Sequence, residues 1–594
     1  MNLCRSSAFL PTTKEELKQR HIDRLDVILI TGDAYIDHPA FGAALVGRYL
    51  EALGLIVGII SMPDVNNPAD FQRLGEPRYF FGVTSGNVDS MVSLFTAQKK
   101  IRSDDPYVPG GKAGLRPARA IIAYCNAIRR SFKNCAIVIG GVEASLRRIA
   151  HYDYWSDIVR RPIMLDAKAD LLVYGMAERP LAEIVERLKA GARISDMRDI
   201  PGTVRRHDKS KSIDVAPDSK SVCILPSYED VCRSKQAFSE MTRAFFENQG
   251  VVFIQRCGNS GIVVNPPAAP LSQKEFDAIY ELPFAYAPHP SYNGKIHAWE
   301  QIKDSFTVVR GCFGGCNFCG LGLHQGKTIQ SRSKESIMRE VKKRAMGKDW
   351  KGVISDLGGP TANMYGLFCK RRATGLECKK RSCLVPRPCA NLMSDQSEFS
   401  ELIRYVDSMH DVKHVYVNSG VRMDLALLWP EIIKLLAQKA VGGQMSIAPE
   451  HIVPSVLKCM NKPEDCGWDQ FEAIFQAASR KAGKKQFLIP YLIAGHPGST
   501  LADAKALGDF LKKRNIRVRQ VQEFMPLPMT VSASMYYTGE DPFTGEKVHV
   551  SHKLSEMRRQ KEAIMWWKRP ITKQERESRK AALAHFCSKP FNLS

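Results

Sequence analysis

Three cysteines within one short stretch constrain this chain more than any other feature. Cys312, Cys316 and Cys319 follow the spacing C-x3-C-x2-C, and four glycines lie among or beside them. Cysteines at this spacing could share one face of a helix and pack as small apolar residues. The adjacent Gly314 and Gly315 instead favour a loop, because paired glycines are poor helix formers. Such a loop can wrap around a [4Fe-4S] cluster, which normally takes four cysteines, so three local thiolates would leave one iron open for a substrate or cofactor.

Length and composition indicate a folded protein of several domains. A chain of 594 residues with 44% apolar residues is expected to form two to four domains. No apolar run is long enough to predict a membrane-spanning helix, and residues 1–20 lack the apolar core of a secretory signal. Sixteen cysteines therefore indicate metal or redox chemistry in a cytoplasmic protein rather than a disulfide framework.

The chain is strongly basic. Its formal net charge is +23, and the excess is spread along the sequence rather than gathered in one stripe with interleaved aromatic residues. This balance has two interpretations, an RNA-binding surface and a basic surface without a polyanionic partner.

The first 200 residues alternate between strand and helix patterns. Residues 27–30 form an apolar run, residues 41–53 have helical periodicity that stops at Gly54, and residues 55–60 form a second apolar run. The pattern predicts a doubly wound, Rossmann-like domain over residues 1–200, with a ligand crevice at the carboxyl ends of its parallel strands. The loops expected to line that crevice are residues 31–42, 84–89, 140–145 and 175–178.

Two boundaries follow from composition. Residues 201–295 contain polar and proline-rich stretches and are predicted to be a linker or insertion. The alternation of strands and helices then resumes, which predicts a second α/β domain over residues 296–565. A basic C-terminal segment covers residues 566–594.

The cysteine stretch resembles the motif of the radical S-adenosylmethionine (SAM) superfamily, C-x3-C-x-aromatic-C, with Phe318 as the aromatic residue. The resemblance implies a partial (β/α)6 TIM-type barrel in which the cluster loop follows the first strand. Later strand ends fit the superfamily order, at Gly358-Gly359, at residues 418–422, at residues 448–451 and at residues 495–500.

The same resemblance implies roles for individual residues. Phe318 would lie against the adenine of SAM, and the remaining positions would orient SAM: Gly358, Gly359, Ser419 and Arg422. Pro360 stands where relatives have an acidic residue, so the backbone role of this turn carries over and a carboxylate role does not.

Several segments resemble the YgiQ family of radical SAM proteins in particular. They are residues 140–148, 151–156, 310–319, 324–327, 447–451 and 535–539. The resemblance implies an iron-sulfur enzyme that reductively cleaves SAM to a 5′-deoxyadenosyl radical and modifies an unidentified substrate, with methyl or sulfur transfer as candidate reactions. It also implies a one-electron reductant such as flavodoxin or ferredoxin. The alternative is a non-enzymatic iron-sulfur electron carrier or a metal-dependent RNA-binding protein, and the sequence assigns no catalytic side chain.

The first domain resembles the cobalamin-binding domain that precedes the barrel in several radical SAM subfamilies. That family's cobalt-ligating pattern is Asp-x-His-x-x-Gly, whereas Asp37-His38-Pro39-Ala40-Phe41-Gly42 has its histidine one place early. Two alternatives follow. The domain binds cobalamin, or His38 is a loop residue and the domain only shapes the substrate cavity.

A second group of cysteines follows the Gly-Gly turn. Cys369, Cys378, Cys383 and Cys389 lie in a very basic insertion at residues 369–389. Four cysteines this close can hold a zinc ion or a second iron-sulfur cluster, and otherwise they are reduced thiols on a loop. Their spacing lacks the C-x2-4-C pairs of common zinc sites, so we favour an auxiliary iron-sulfur cluster.

Two aromatic stretches also have two interpretations each. Residues 151–156 alternate aromatic residues with His151 and Asp153, and they could line a substrate pocket or form a packed contact between domains. Trp566-Trp567-Lys568-Arg569 could stack on RNA or belong to a helical cap, and the helical cap is the favoured interpretation.

Overall fold

The structure is a computed structural model that describes residues 9–208, 221–373 and 378–568. Most of the basic C-terminal segment, from residue 569 on, therefore lies outside the described residues. The chain forms an N-terminal α/β sheet domain followed by an α/β barrel.

The N-terminal domain is built on one nine-stranded sheet. Its strands, numbered along the chain, are β1 (Val27–Thr31), β2 (Val57–Ser61), β3 (Phe80–Val83), β4 (Ile137–Ile139), β5 (Leu171–Val173), β6 (Thr203–Asp208), β7 (Val222–Ile224), β8 (Val252–Cys257) and β9 (Ser260–Val264). Their order in the sheet is β7-β8-β9-β6-β5-β4-β3-β1-β2. The strands from β2 to β5 in this order are all parallel, as a doubly wound fold requires.

Helices cover both faces of the parallel part of the sheet. Gly42–Ala52 and Glu178–Lys189 pack on the face that carries Val27 and Leu29, while Ala120–Ser131 packs on the face that carries Ile28 and Ile30. All five residues of β1 are buried, because a strand covered on both sides has no polar face. The other helices of this half are Lys14–Gln19, Pro68–Gln72, Ser90–Leu94, Gly141–Ser145, Ile163–Asp166, Tyr228–Arg233, Lys235–Glu247, Gln273–Tyr280 and His297–Ile302.

The sheet does not end at residue 200. Strands β6 to β9 come from the region expected to be a linker or insertion, and β6 pairs with β5 in antiparallel orientation. The hairpin of β8 and β9 is rich in Val, Ile and Phe, and its apolar residues are buried. These residues bury their apolar side chains by extending the existing sheet. In the sequence, the polar and proline-rich stretches around them hid this strand pattern.

The second half forms an open α/β barrel in which the strands occupy six positions. Its strands are β10 (Ser305–Thr307), β11 (Val353–Ile354), β12 (Asp356–Gly358), β13 (His414–Val415), β14 (Gln444–Glu450), β15 (Phe487–Ala494) and β16 (Gln522–Glu523), and β11 and β12 share one position. The parallel pairs are β10 with β12, β11 with β13, β14 with β15, and β15 with β16, and a parallel bridge joins Val421 to Ile447. The predicted fold class is confirmed.

Helices surround the barrel and enclose its apolar core. They are Leu321–His324, Lys334–Ala345, Lys370–Ala373, Ser397–Asp407, Met423–Ala426, Pro430–Leu435, Pro454–Cys459, Trp468–Lys481, Leu501–Lys513, Val531–Thr538 and Leu554–Ile564. No helix among the described residues is long and apolar enough to cross a membrane.

The two aromatic stretches lie in packed contacts. The ring of Tyr152 stacks on Tyr537 with 5.0 Å between centroids, and Tyr154 meets Tyr536 edge to face at 5.7 Å. These rings pack the N-terminal half against the helix Val531–Thr538. Of the two interpretations of residues 151–156, this contact supports the packed contact between domains. At the C-terminus, the indole nitrogens of Trp566 and Trp567 donate hydrogen bonds to the carbonyls of Ile516 and Val518, so both rings hold the end of the last helix against the barrel.

Candidate functional site

The loop that carries the first three cysteines lies at the carboxyl end of the first barrel strand. A short ribbon of Val309–Arg310 and Gln330–Ser331 brackets the loop, and the amide of Cys312 donates to the carbonyl of Gly326 across its base. Side chains at the carboxyl ends of parallel strands converge on one face of a barrel. The cysteines therefore face the turns that end the other strands.

Glycine is required at two points where this loop folds back on its surroundings. Gly311 and Gly315 have left-handed φ angles of +88° and +65°. A Cβ at Gly311 would collide with the carbonyl of Thr328, and one at Gly315 would collide with the carbonyl of Arg381. The sequence predicted a loop here, and its tight approach to residue 381 depends on the absence of side chains.

Three hydrogen bonds fix the loop to the chain that follows β14. The Asn317 amide donates to the Met460 carbonyl at 2.9 Å, and its side-chain nitrogen donates to the Cys459 carbonyl at 2.9 Å. In return, Asn461 Nδ2 donates to the Gly315 carbonyl at 2.7 Å. The loop therefore has a defined conformation around its thiols.

The three thiols line one cavity between the barrel and the N-terminal half. Phe246, Lys327, Arg381 and Thr530 are also among its lining residues. Burial raises the pKa of Cys319 to about 12 and also raises the pKa of Cys312. Both thiols are consequently neutral near pH 7 until a metal replaces their protons.

The guanidinium of Arg422 lies beside Cys316, the remaining thiol of the three. Nη1 of Arg422 donates to Sγ of Cys316 at 3.3 Å, and the same side chain forms a buried ion pair with Asp424. A Cβ at Gly314 would collide with this guanidinium, so the glycine gives Arg422 access to the cysteines. A positive charge here would offset the negative charge of thiolates that hold a cluster.

The three thiols suit a cluster that keeps one position open. No three His, Cys, Asp or Glu side chains within residues 9–208, 221–373 and 378–568 are placed to hold one metal ion. Cys312, Cys316 and Cys319 line one cavity, and a cubane cluster held by three thiolates has one iron open for a further ligand. The residues present therefore fit a [4Fe-4S] cluster.

The residues predicted to orient SAM come from separate strand ends and reach the same region. Gly358 and Gly359 end β12, and a Cβ at either glycine would collide with Ser419 or with the carbonyl of Val309. Ser419 donates its hydroxyl to Asp356 at 2.5 Å. Arg422 reaches the cysteine loop itself, as described above. Their contacts with SAM stay predictions.

Phe318 packs beside a buried histidine. Its ring meets His496 edge to face with 6.0 Å between centroids. His496 is held by hydrogen bonds to the Pro497 carbonyl and to the hydroxyl of Ser532, and burial lowers its pKa to about 3. The aromatic residue of the motif is therefore supported by the turn after β15. Its predicted contact with adenine is untested.

Sequence reasoning gave no role to two charged residues near the cavity. Glu450 ends β14 with a left-handed φ of +67°, and its carboxylate is 4.0 Å from the ammonium of Lys462. Burial raises its pKa. Lys327 lines the cysteine cavity, and burial lowers its pKa to about 8. Both residues lie in segments that carried the family resemblance, 447–451 and 324–327, but the left-handed conformation of Glu450 leaves no mark in the sequence.

The N-terminal half closes the cavity from the other side. Glu178 forms a buried ion pair of 2.6 Å with Arg310, and Ser145 hydrogen-bonds to Nδ1 of His324 at 2.9 Å. Leu146 lies against Gly320, next to the last cysteine of the motif. The strand-end loops at residues 140–145 and 175–178 thus contact the cluster loop directly.

His38 is buried among aromatic rings. It is 3% exposed, its ring meets Tyr286 and Trp299 edge to face, and its Nδ1 accepts a hydrogen bond from Ala40. The neighbouring Asp37 forms a buried ion pair with Arg48. The arrangement does not fit a histidine that ligates cobalt, because no part of the ring is presented to a ligand.

The second group of cysteines lies against the first. The amide of Cys383 donates to the Phe313 carbonyl at 3.1 Å, and the amide of Cys389 donates to the Cys383 carbonyl at 2.8 Å. Cys369 pairs with Leu392 in a short antiparallel ribbon. Burial raises the pKa of Cys383 to about 11, with further contributions from Cys369, Cys389 and Cys378. The four cysteines therefore gather in one place.

Comparison with known proteins assigns both halves. Residues 9–305 match the family "Radical SAM N-terminal", residues 306–511 match the Radical SAM superfamily, and residues 519–574 match a domain of unknown function, DUF3362. A UPF0313 protein of Methanocella arvoryzae is 46% identical over 562 residues, covering 94% of this chain and 93% of that protein. A UPF0313 protein of Geobacter sulfurreducens is 46% identical over 563 residues, covering 94% and 92%.

Solved structures give a weaker likeness. The radical SAM methyltransferase TsrM from Kitasatospora setae, with tryptophan substrate and a SAM analogue bound, aligns with a TM-score of 0.46 and 13% identity over 85% of this chain and 75% of that one. A second TsrM structure, with cobalamin and a [4Fe-4S] cluster bound, gives 0.47 and 14% over 85% and 74%. At this level of likeness the ligands of TsrM do not carry over. The family matches and the close relatives are decisive: the chain belongs to the UPF0313 family and is an enzyme of the radical SAM superfamily, whose cofactors are a [4Fe-4S] cluster and SAM.

Proposed function

We propose that Cys312, Cys316 and Cys319 hold the [4Fe-4S] cluster and that SAM binds at its open iron. The observation that supports this most directly is the single cavity lined by all three thiols, with the Arg422 guanidinium 3.3 Å from Cys316. Bound together in the reduced state, the two cofactors supply a 5′-deoxyadenosyl radical that removes a hydrogen atom from the substrate.

The surrounding residues orient the cofactors and exclude water. Gly358 and Gly359 let the turn at the end of β12 lie close against Ser419 and the Val309 carbonyl, and the backbone of this turn is assigned to the amino group of SAM. Ser419 and Arg422 lie at the next strand end and complete the binding region. The loops around Ser145 and Glu178 pack the N-terminal half against the segment that carries the cysteines, and this packing would help to keep a reactive radical away from solvent.

The lining of the cavity favours a small substrate with a negatively charged group. Lys327 and Arg381 contribute two positive charges, and Phe246 and Val531 contribute apolar surface. The guanidinium of Arg381 is held over the ring of Phe543, 3.6 Å from its centroid. Methyl or sulfur transfer to such a substrate fits the proposal. RNA as a substrate, which the net charge alone suggested, stays a prediction.

The N-terminal domain acts in this proposal as a wall of the substrate cavity. The burial of His38 supports this role over cobalt ligation. Elemental analysis of anaerobically purified protein tests it, and stoichiometric cobalt would contradict it.

The cluster assignment is tested with Cys316→Ala. The variant should lose the brown absorbance of the primary cluster and should form no 5′-deoxyadenosine from SAM and dithionite under anaerobic conditions. The control is Cys232→Ala, which removes an exposed cysteine well before the motif in the sequence and should behave as wild type. Deoxyadenosine formation by Cys316→Ala at the wild-type rate would contradict the assignment, and cluster loading without SAM binding in the wild type would favour an electron carrier.

The substrate is sought by comparing metabolites and RNA modifications from cells with and without the protein. A change confined to a small anionic metabolite would support the proposed substrate class. A change confined to a modified nucleoside in RNA would contradict it.

A further inference from the structure

The second cysteine group is brought against the primary cluster loop by the fold. Cys383 bonds through its amide to the Phe313 carbonyl, and Arg381 contacts both Gly315 and Asn317. Phe313, Met364 and Leu384 form a small apolar cluster, and Cys312 packs on it together with Cys383 and Cys389. Thiols of both groups therefore pack against the same apolar cluster.

The four thiols are available as ligands. All four are free rather than disulfide-bonded, and each is partly exposed. Two short elements fix the group, the pairing of Cys369 with Leu392 and the hydrogen bond from the Cys389 amide to the Cys383 carbonyl. Nζ of Lys380 lies 3.4 Å from Sγ of Cys389, where it would stabilise a thiolate.

The number and spacing of the cysteines favour an iron-sulfur cluster. Cys383 and Cys389 pack on the apolar cluster that contains Leu392, and Cys369 pairs with Leu392. An iron-sulfur cluster takes four cysteines. The spacing along the chain lacks the C-x2-4-C pairs of common zinc sites, which favours the cluster over zinc.

Positive charge surrounds this group on the surface. Between Phe368 and Asn391 the sequence has seven Lys and Arg residues and one acidic residue, Glu377. The exposed members form a basic collar, which consists of Lys370, Arg371, Lys379, Lys380 and Arg387. Such a collar attracts a negatively charged partner and speeds its encounter with the protein.

We propose that Cys369, Cys378, Cys383 and Cys389 bind an auxiliary [4Fe-4S] cluster that is the entry point for electrons. An acidic one-electron carrier of the flavodoxin or ferredoxin class docks on the basic collar and is oxidised by one electron. The same electron reaches the primary cluster, which is reduced by one; no bond forms or breaks. The role in electron entry rests on the proposed function, whereas the presence of the auxiliary cluster does not.

Iron counting tests the auxiliary cluster. Wild-type protein should bind about eight iron atoms per chain, and Cys383→Ala and Cys389→Ser should each lose about four. The remaining iron should still show a change in its electron paramagnetic resonance spectrum when SAM is added. Cys232→Ala should keep all of the iron. Unchanged iron in both auxiliary-site variants, or one zinc per wild-type chain that these variants lose, would overturn the proposal.

A charge reversal tests electron entry. The double substitution Lys379→Glu and Arg387→Glu should slow reduction by an acidic flavodoxin about tenfold at low salt, and the difference should shrink as salt is added. Reduction by a small photochemical reductant should stay at the wild-type rate, which controls for folding and cluster loading. Equal flavodoxin rates for wild type and variant would overturn the docking role while leaving the iron counts intact. Loss of deoxyadenosine formation in Cys316→Ala is a separate result, so the proposed function and this inference can fail independently.

Discussion

At the residue scale, the cluster loop depends on positions where any side chain would collide with a neighbour. Gly314 faces the Arg422 guanidinium, and its missing Cβ would lie 3.4 Å from Sγ of Cys312. The sequence predicted a glycine-rich loop from the paired glycines. It did not indicate that an arginine more than a hundred residues later would occupy the space they leave.

Gly314→Ala should displace Arg422 from Cys316 and weaken retention of the cluster. We expect the reconstituted variant to lose iron to a chelator at least several times faster than wild type, because the charge beside the thiolate moves away. Gly443→Ala is the matched control, since a Cβ there meets nothing within 4 Å. Equal chelation rates for Gly314→Ala and wild type would contradict the role of this glycine.

The raised pKa values of Cys312 and Cys319 predict how cluster assembly depends on pH. Burial raises both, that of Cys319 to about 12, so these thiols are protonated in cluster-free protein near pH 7. Assembly needs thiolates and must release their protons, so it becomes more favourable as pH rises. Reconstitution with iron and sulfide, followed by absorbance, should be faster and more complete at about pH 9 than at about pH 7. A pH-independent yield would contradict this.

At the element scale, the chain after β14 holds the cluster loop in position. The segment at residues 460–461 makes reciprocal hydrogen bonds with Gly315 and Asn317. The order of strand ends was predictable from the motif and its resemblance. This clasp was not, because a hydrogen bond between distant backbone groups leaves no mark in a single sequence.

Substitutions of Asn461 separate the clasp from backbone strain. Asn461 has a left-handed φ of +54° and donates to the Gly315 carbonyl. Both Asn461→Gly and Asn461→Ala remove the hydrogen bond, but alanine keeps a Cβ in the left-handed conformation whereas glycine has none. We expect the alanine variant to be less stable than the glycine variant by about 0.5–1 kcal/mol. Both should lose the cluster to a chelator faster than wild type.

Denaturant unfolding and chelation rates measure the two effects of Asn461. If alanine and glycine are equally stable, strain at this position is negligible. If neither variant changes the chelation rate, the hydrogen bond to Gly315 does not hold the cluster loop.

At the scale of the whole molecule, buried polar contacts unite the two halves around the cavity. The ion pair of Glu178 and Arg310 links the end of β5 to the residue that begins the cysteine loop. Arg310 also lies over the ring of Phe276, 4.9 Å from its centroid. The contact between the two halves therefore includes charges that are removed from water.

Breaking this ion pair should be costly. Glu178→Gln leaves a buried guanidinium without its counter-charge, which should reduce the free energy of unfolding by about 3 kcal/mol. The double variant Glu178→Gln with Arg310→Met should lose less than the sum of the single losses, as denaturant unfolding would show. The exposed pair of Glu281 and Arg339 supplies the control, and Glu281→Gln should cost less than about 1 kcal/mol. Strict additivity at Glu178 and Arg310 would contradict the coupling.

The sequence by itself was enough to predict the chemistry of the primary site, and its family resemblance predicted the order of the elements around it. Cysteine spacing, paired glycines and apolar runs act locally, within a few residues, so a single chain displays them. They were enough to predict the α/β classes of both halves and the loop around Cys312, Cys316 and Cys319.

Only the tertiary structure decided what surrounds those thiols. It extended the first sheet with strands β6 to β9, buried His38 among aromatic rings, placed Arg422 beside Cys316 and set Cys383 against Phe313. Each of these contacts joins residues far apart along the chain, and its energy comes from burial and charge pairing that exist only after folding. The sequence predicted the ligands of a cluster, and the fold supplied the cavity that these three thiols line together with Lys327 and Arg381.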